Sequence, residues 1–148
     1  MNQAAQTYWD EFWKDSVKPR IVSAWQFGAN PDHLADLVIK GIKTATCSAY
    51  VFYEREQELL PSTGDYSIIL NSKDEPVAII KTVDVTLTPM NEVKEEFAFA
   101  EGEGDLTYPY WKDAHEKFFK EELSQIGLKF TEDLLLVCER FELIDVKK

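Results

Sequence analysis

The chain has 148 residues, 45% of them hydrophobic, which is enough to bury a real core in one globular domain, and its aromatic-rich composition argues against disorder. Acidic residues outnumber basic ones by 27 to 16, and the resulting net charge of -11 opposes long-range capture of nucleic acid or an anionic membrane. Two cysteines, Cys47 and Cys138, without C-x-x-C spacing, and two histidines, His33 and His115, without a ligand cluster around them, argue against a zinc site or a disulfide framework, so no metal or cofactor is expected.

In chain order, residues 4–16 pair Tyr8 with Phe12 and Trp9 with Trp13 at i, i+4, which predicts a helix with an aromatic face, ended by Pro19 and docked on the main body. Arg20–Phe27 has the β-branched and aromatic content of a strand, closed by Gly28. Asn30-Pro31 is a helix-start signature, Leu34, Leu37 and Val38 form its apolar stripe, and Gly41 fits the left-handed position after the helix end. A strand through Ala49 follows Lys43, and residues 50–60 fit either a short helix or an irregular segment.

After the Pro61–Asp65 turn, strands over 66–70 and 77–87 flank a hairpin at Lys73–Pro76 and predict a β-meander. A helix is expected over 91–99, a glycine-rich acidic loop over 100–105, a helix to about Ile126 with Trp111, His115, Phe118 and Phe119 on one face, and a last strand over 134–144. No repeat or linker divides 1–148, so one domain is expected, with 1–18 as its N-terminal helix. The N-terminus has no basic-then-apolar leader and no apolar run is long enough to span a membrane, which predicts a cytoplasmic protein with reduced thiols.

Gly41-Ile42-Lys43-Thr44-Ala45-Thr46 carries the clearest chemistry. A threonine hydroxyl is a poor nucleophile until a base takes its proton, and a lysine can be that base if desolvation lowers its pKa. Residues three apart point to opposite faces of a regular strand, so Lys43 and Thr46 need a bend or bulge near Ala45 to act together. The bland alternative is a solvated lysine past a helix end and ordinary strand threonines.

Glu101, Glu103 and Asp105 alternate with glycines, which predicts crowded carboxylates that raise one another's pKa, one of them serving as a general acid; coordinating a cation or solubilising a loop are the alternatives. His115 is either a core histidine or a neighbour of this acidic site. Trp25 offers a stacking face and Gln26 beside it both a donor and an acceptor, which makes the pair a weak ligand contact.

Helix, then G-x-K-x-x-T, then strands entered through Thr63-Gly64-Asp65-Tyr66 resembles the ASCH domain, a relative of the PUA-like RNA-binding folds. Gly41, Lys43 and Thr46 match its signature, and W-Q-F-G at 25–28, T-A-T-C-S at 44–48 and E-G-E-G-D at 101–105 resemble a mostly uncharacterised bacterial branch. The resemblance runs from Arg20 to the end and implies an α+β fold, a PUA-like β-barrel with helices packed around it. Some small bacterial ASCH proteins are amidohydrolases that deacetylate N4-acetylcytidine with a Lys, Thr and Glu set, and others bind or cleave RNA.

By that resemblance Lys43 is the base, Thr46 the nucleophile and Glu103, in Ala100-Glu101-Gly102-Glu103, the acid that protonates the departing amine, with Glu101 as the fallback. This chain is longer than those amidohydrolases and adds an aromatic N-terminal helix and a glycine-rich acidic loop. Burial lowers the pKa of Lys43 while an ionised Glu103 raises it, so a working base needs burial to win or Glu103 to be protonated. A small nucleoside or nucleotide is the expected partner, with Trp25, Gln26 and Glu101 as binding residues. The alternative is an RNA- or nucleotide-binding module, with or without ribonuclease activity, in which Lys43 meets a phosphate. Neither DNA nor a membrane is expected as a partner.

Overall fold

The computed structural model describes residues 1–19 and 22–148. Its strands are β1 (Val22–Gln26), β2 (Ala45–Ala49), β3 (Tyr66–Leu70), β4 (Pro76–Pro89) and β5 (Leu135–Val146). The helices are α1 (Gln3–Trp13), α2 (Pro31–Ile39), α3 (Tyr50–Glu56), α4 (Glu95–Glu101) and α5 (Tyr108–Gln125), with a 3-10 turn at Met90–Glu92. The strands form one curled sheet, a half-barrel in the order β1-β3-β4-β5-β2. β1 runs parallel to β3, and the other pairings are antiparallel. The Arg20–Ile21 start expected for the first strand lies outside the described residues.

The β3–β4 hairpin forms where expected because Asn71 Oδ1 accepts from Lys73 N at 2.9 Å and Glu75 N at 3.0 Å, closing the turn around Asp74, whose φ is 61°. A meander does not follow from it. The strand on the far side of β4 is β5, which arrives only after the 3-10 turn, α4 and α5. Register shifts at Ile79/Ile80 and Thr82/Asp84 bend this long pair and help the sheet curl.

Two helices differ in extent from their sequence patterns. α1 stops at Trp13 because Lys14 takes a φ of 43°, well before Pro19. The helix expected over 91–99 begins at Glu95 and continues through Glu101, ending where Gly102 turns left-handed at φ 71°. That shift moves Glu101 out of the acidic loop and onto a helix.

Three apolar clusters hold the layers together. α1 lays Ala5, Tyr8 and Trp9 on Ile68, Leu70 and Ile79. Asn2 fixes its start, accepting from Ala5 N at 2.8 Å and donating to Asp74 O at 2.8 Å. α2 packs Ala35 and Val38 against Ile69, Ile80 and Phe141 on the opposite face of the sheet. Phe97, Ala98, Trp111 and Phe119 from α4 and α5 cover Ala45, Ala49, Leu136 and Cys138. No helix among the described residues is long and apolar enough to cross a membrane.

Candidate functional site

Lys43 lies between α2 and β2. The chain wraps after α2, with Ile42 N and Lys43 N both donating to Leu37 O, at 2.9 and 3.1 Å. Thr44 N then donates to Ala100 O at 2.7 Å, and Phe141 N donates to Thr44 O at 3.0 Å. Lys43 therefore precedes the strand, so the alternation of strand faces does not separate it from Thr46 and no bulge at Ala45 is needed. The end of α4 packs so closely on this segment that a Cβ on Gly102 would sit 2.5 Å from Ile42 O, a position only glycine tolerates.

The Lys43 side chain is 1% exposed, and its three N–H groups meet three acceptors: Glu103 Oε2 at 3.0 Å, Glu101 Oε1 at 3.2 Å and Glu101 O at 3.3 Å. Burial acts strongly to lower its pKa, but the two carboxylates outweigh burial and hold it above the ordinary lysine value. At rest it is an ammonium.

Glu101, equally buried, offers its second oxygen to Trp111 Nε1, to His115 Nε2 at 3.2 Å and to Cys47 Sγ at 3.3 Å. His115 Nδ1 lies 2.8 Å from Trp111 O, so both ring nitrogens face oxygen acceptors and both carry protons. Burial works against that imidazolium, yet Glu101 and the Trp111 carbonyl raise its pKa above the usual histidine value. In turn Lys43, His115 and Trp111 overcome the burial of Glu101 and pull its pKa down to about 2.

The expectation that crowded carboxylates would hold a proton is thus reversed at Glu101, because the Lys43 ammonium bridges it to Glu103 and His115 adds a second positive charge at its other oxygen. Asp105 leaves the cluster altogether, accepting from Thr107 N at 3.0 Å and Thr107 Oγ1 at 2.6 Å at the start of α5. Cys47, Glu101 and His115 place one ligand atom each within 4.8 Å of one another. A metal there would have to displace the proton on His115 and that on Cys47, whose thiol burial and Glu101 push well above its ordinary value, and would lie against the Lys43 ammonium. The chemistry of the three is a hydrogen-bonded charge cluster.

The cluster forms one wall of a cleft of about 1010 Å³ in the hollow of the half-barrel. Thr46 lines it, half-buried, on the face shared with Ser48, though none of Lys43's three hydrogen bonds goes to it. Trp25 lines it from β1, edge-on to Phe27 at 4.8 Å between ring centroids. Gln26 stands at its margin with its amide donating to Asp74 Oδ1 at 2.7 Å. Among the described residues, six carboxylates border the cleft against the Lys43 ammonium and the His115 imidazolium, which suits a ligand without phosphates.

Sequence reasoning did not find Cys47, Trp111 or Glu139 as site residues. Trp111 and His115 stand at i, i+4, a spacing that puts both on one point of a helix. Glu139 is a lone acid in the apolar run Leu134–Phe141, at a period-two position shared with Val137 and Phe141.

A family model for the ASCH domain matches residues 23–145. The chain belongs to the ASCH domain family. Its fold is that of the ASCH domain from Lactobacillus crispatus JV V101, which is 32% identical, with a TM-score of 0.91 over 97% of this chain and 95% of that one. A protein from Enterococcus faecalis V583 is 43% identical, with a TM-score of 0.79 over 95% of this chain and 85% of its own. No curated protein matches the sequence. Within this ASCH domain the half-barrel supplies the cleft, and the end of α4 with the start of α5 supplies the charged wall.

Proposed function

We propose that this ASCH domain hydrolyses the amide of an N-acylated pyrimidine nucleoside such as N4-acetylcytidine. The observation that carries the reading is the convergence of Lys43, Thr46 and Glu103 on one cleft, with Lys43 Nζ 3.0 Å from Glu103 Oε2. The charged resting state of Lys43 sets the order of proton movements. Glu103 is the wetter partner, its side chain 23% exposed, so a ligand that fills the cleft strips water from this ion pair. Loss of solvation favours the neutral pair, and a proton passes from Lys43 to Glu103.

The free amine then takes the Thr46 hydroxyl proton as the oxygen attacks the acyl carbon. The tetrahedral oxyanion collapses, the C–N bond breaks and the Glu103 acid gives its proton to the departing amine. A water that loses a proton to the Glu103 carboxylate cleaves the acyl-threonine ester, and the Lys43 ammonium returns a proton to the Thr46 oxygen. A final transfer from Glu103 to Lys43 restores the ion pair. Glu101 stays ionised throughout and keeps Lys43 in place.

The test is release of acetate from N4-acetylcytidine by the wild-type protein and by Lys43→Ala, beside a panel of other N-acyl nucleosides. Turnover that Lys43→Ala abolishes is the expected result. No turnover across the panel overturns the reading.

A further inference from the structure

Glu139 is unused by that mechanism, yet it sits on the floor of the same cleft. The register of β2 and β5 sets Thr46 directly opposite Glu139, so the two side chains leave the same face about 5 Å apart at Cβ. Thr82 Oγ1 donates to Glu139 Oε1 at 3.4 Å, a long bond for a carboxyl in a half-buried position. Among the described residues, the other titratable groups at this end of the cleft are Asp65 before β3, Tyr53 on α3 and Glu58 beyond it, none of them a cation.

Its neighbours Cys138 and Arg140 turn to the opposite face, where Arg140 Nη2 binds Glu96 at 2.7 Å, and Lys43 is committed to Glu101 and Glu103. Glu101 has donors on both oxygens and is ionised. Among the described residues, Glu139 has one distant hydroxyl as its hydrogen-bond partner, and it lines the cavity.

We propose that Glu139 reads the ligand's heterocycle from the floor of the cleft. Its carboxylic acid donates O–H to a ring acceptor and accepts from the adjacent N–H, as N3 and N4–H of an N4-acylated cytosine present them. Burial, helped by Asp65 and opposed by Thr82, pushes the carboxyl up to about 7, so that a large share of it keeps its proton at neutral pH. Two carboxyls in one cleft are thus driven in opposite directions, a division that separates an electrostatic anchor from a hydrogen-bonding contact. The inference rests on the hydrolase reading only for the chemistry of the ligand.

The experiment is calorimetric titration of N4-acetylcytidine into Lys43→Ala, which prevents turnover, at pH 6 and pH 8.5. If only the acid form binds, the apparent Kd rises about 30-fold between these values as Glu139 ionises through about 7. In Lys43→Ala/Glu139→Gln, whose amide keeps a donor and an acceptor and does not titrate, the affinity stays level within about twofold. Thr82→Val, which removes the hydrogen bond holding the value down, moves the fall in affinity to higher pH. The same pH dependence in the Gln variant, no pH dependence in Lys43→Ala, or no binding at all overturns the proposal. Acetate release by the wild-type protein alongside any of these results leaves the hydrolysis standing and removes only the floor contact.

Discussion

Replacing Glu101 by Gln removes one negative charge from between two buried cations and keeps the side chain's shape. Its amide nitrogen must then face either Lys43 Nζ or the Trp111 and His115 donors, so at least one donor meets a donor. The shift of Glu101 from 4.5 to about 2 corresponds to roughly 3 kcal/mol of folding stability. Breaking a buried ion pair by removing one partner typically costs about 3–5 kcal/mol, in agreement. For a chain of this size a loss of about 3 kcal/mol lowers Tm by roughly 6–12 °C.

Urea unfolding of wild type and Glu101→Gln across a pH series measures it. Glu101 is depressed in the folded state, so its contribution is full above about pH 5 and is lost as pH falls toward 2. The stability gap between the two proteins is therefore expected to be widest near pH 7 and to close in acid. Equal stabilities at pH 7, or a gap that persists unchanged at pH 2, refute the account of the cluster.

His115 is raised in the folded state, so the stability it contributes is full below about pH 6.5 and is lost as pH rises through its folded value; NMR titration is expected to place it above a free histidine, and Glu101→Gln to bring it down. The Cys47 thiol, raised by burial and Glu101, is expected to resist alkylation at pH 7.5 in the native protein and to react once urea unfolds it; rapid native labelling contradicts that. Gly102→Ala forces a Cβ against Ile42 O at a φ of 71° and is expected to cost about 1–3 kcal/mol in urea unfolding, with loss of ligand binding; a wild-type midpoint counts against this contact. Trp9→Ala empties the largest side chain beneath α1 and is expected to cost about 3–5 kcal/mol by the same measurement, whereas a change below about 1 kcal/mol shows that α1 is not needed to cover the sheet.

The elements of this fold were legible where local chemistry decides them. Asn30-Pro31 and Gly41 bracket α2, and the Asn71 turn makes the β3–β4 hairpin, because capping and turn bonds act within a few residues. The neighbour of β4 was not legible, since β5 pairs with it across two helices and no local pattern encodes that distance. Lys43 and Thr46 stood out as candidates by the chemistry of a lysine near a threonine and Glu103 by resemblance to a motif, while the charge state of Lys43 depends on Glu101 and Glu103, 58 and 60 residues away. Glu101 itself read as loop because glycines follow it, and only the helix end at Gly102 assigns it to α4.

The order β1-β3-β4-β5-β2 leaves β3–β4 as the one tight hairpin in the sheet; β1–β3, β4–β5 and β2–β5 all join distant parts of the chain. The cleft borrows residues from β1, β2, α5 and β5, so it exists only when those distant pairings have closed. A compound that occupies it is therefore coupled to the unfolding of the whole molecule and not to the opening of one loop. At about 100 times its Kd such a compound adds roughly 2.7 kcal/mol, or about 5–10 °C in melting temperature. A thermal-shift screen of nucleosides and their acylated forms can thus report occupants of this cleft whether or not they are turned over.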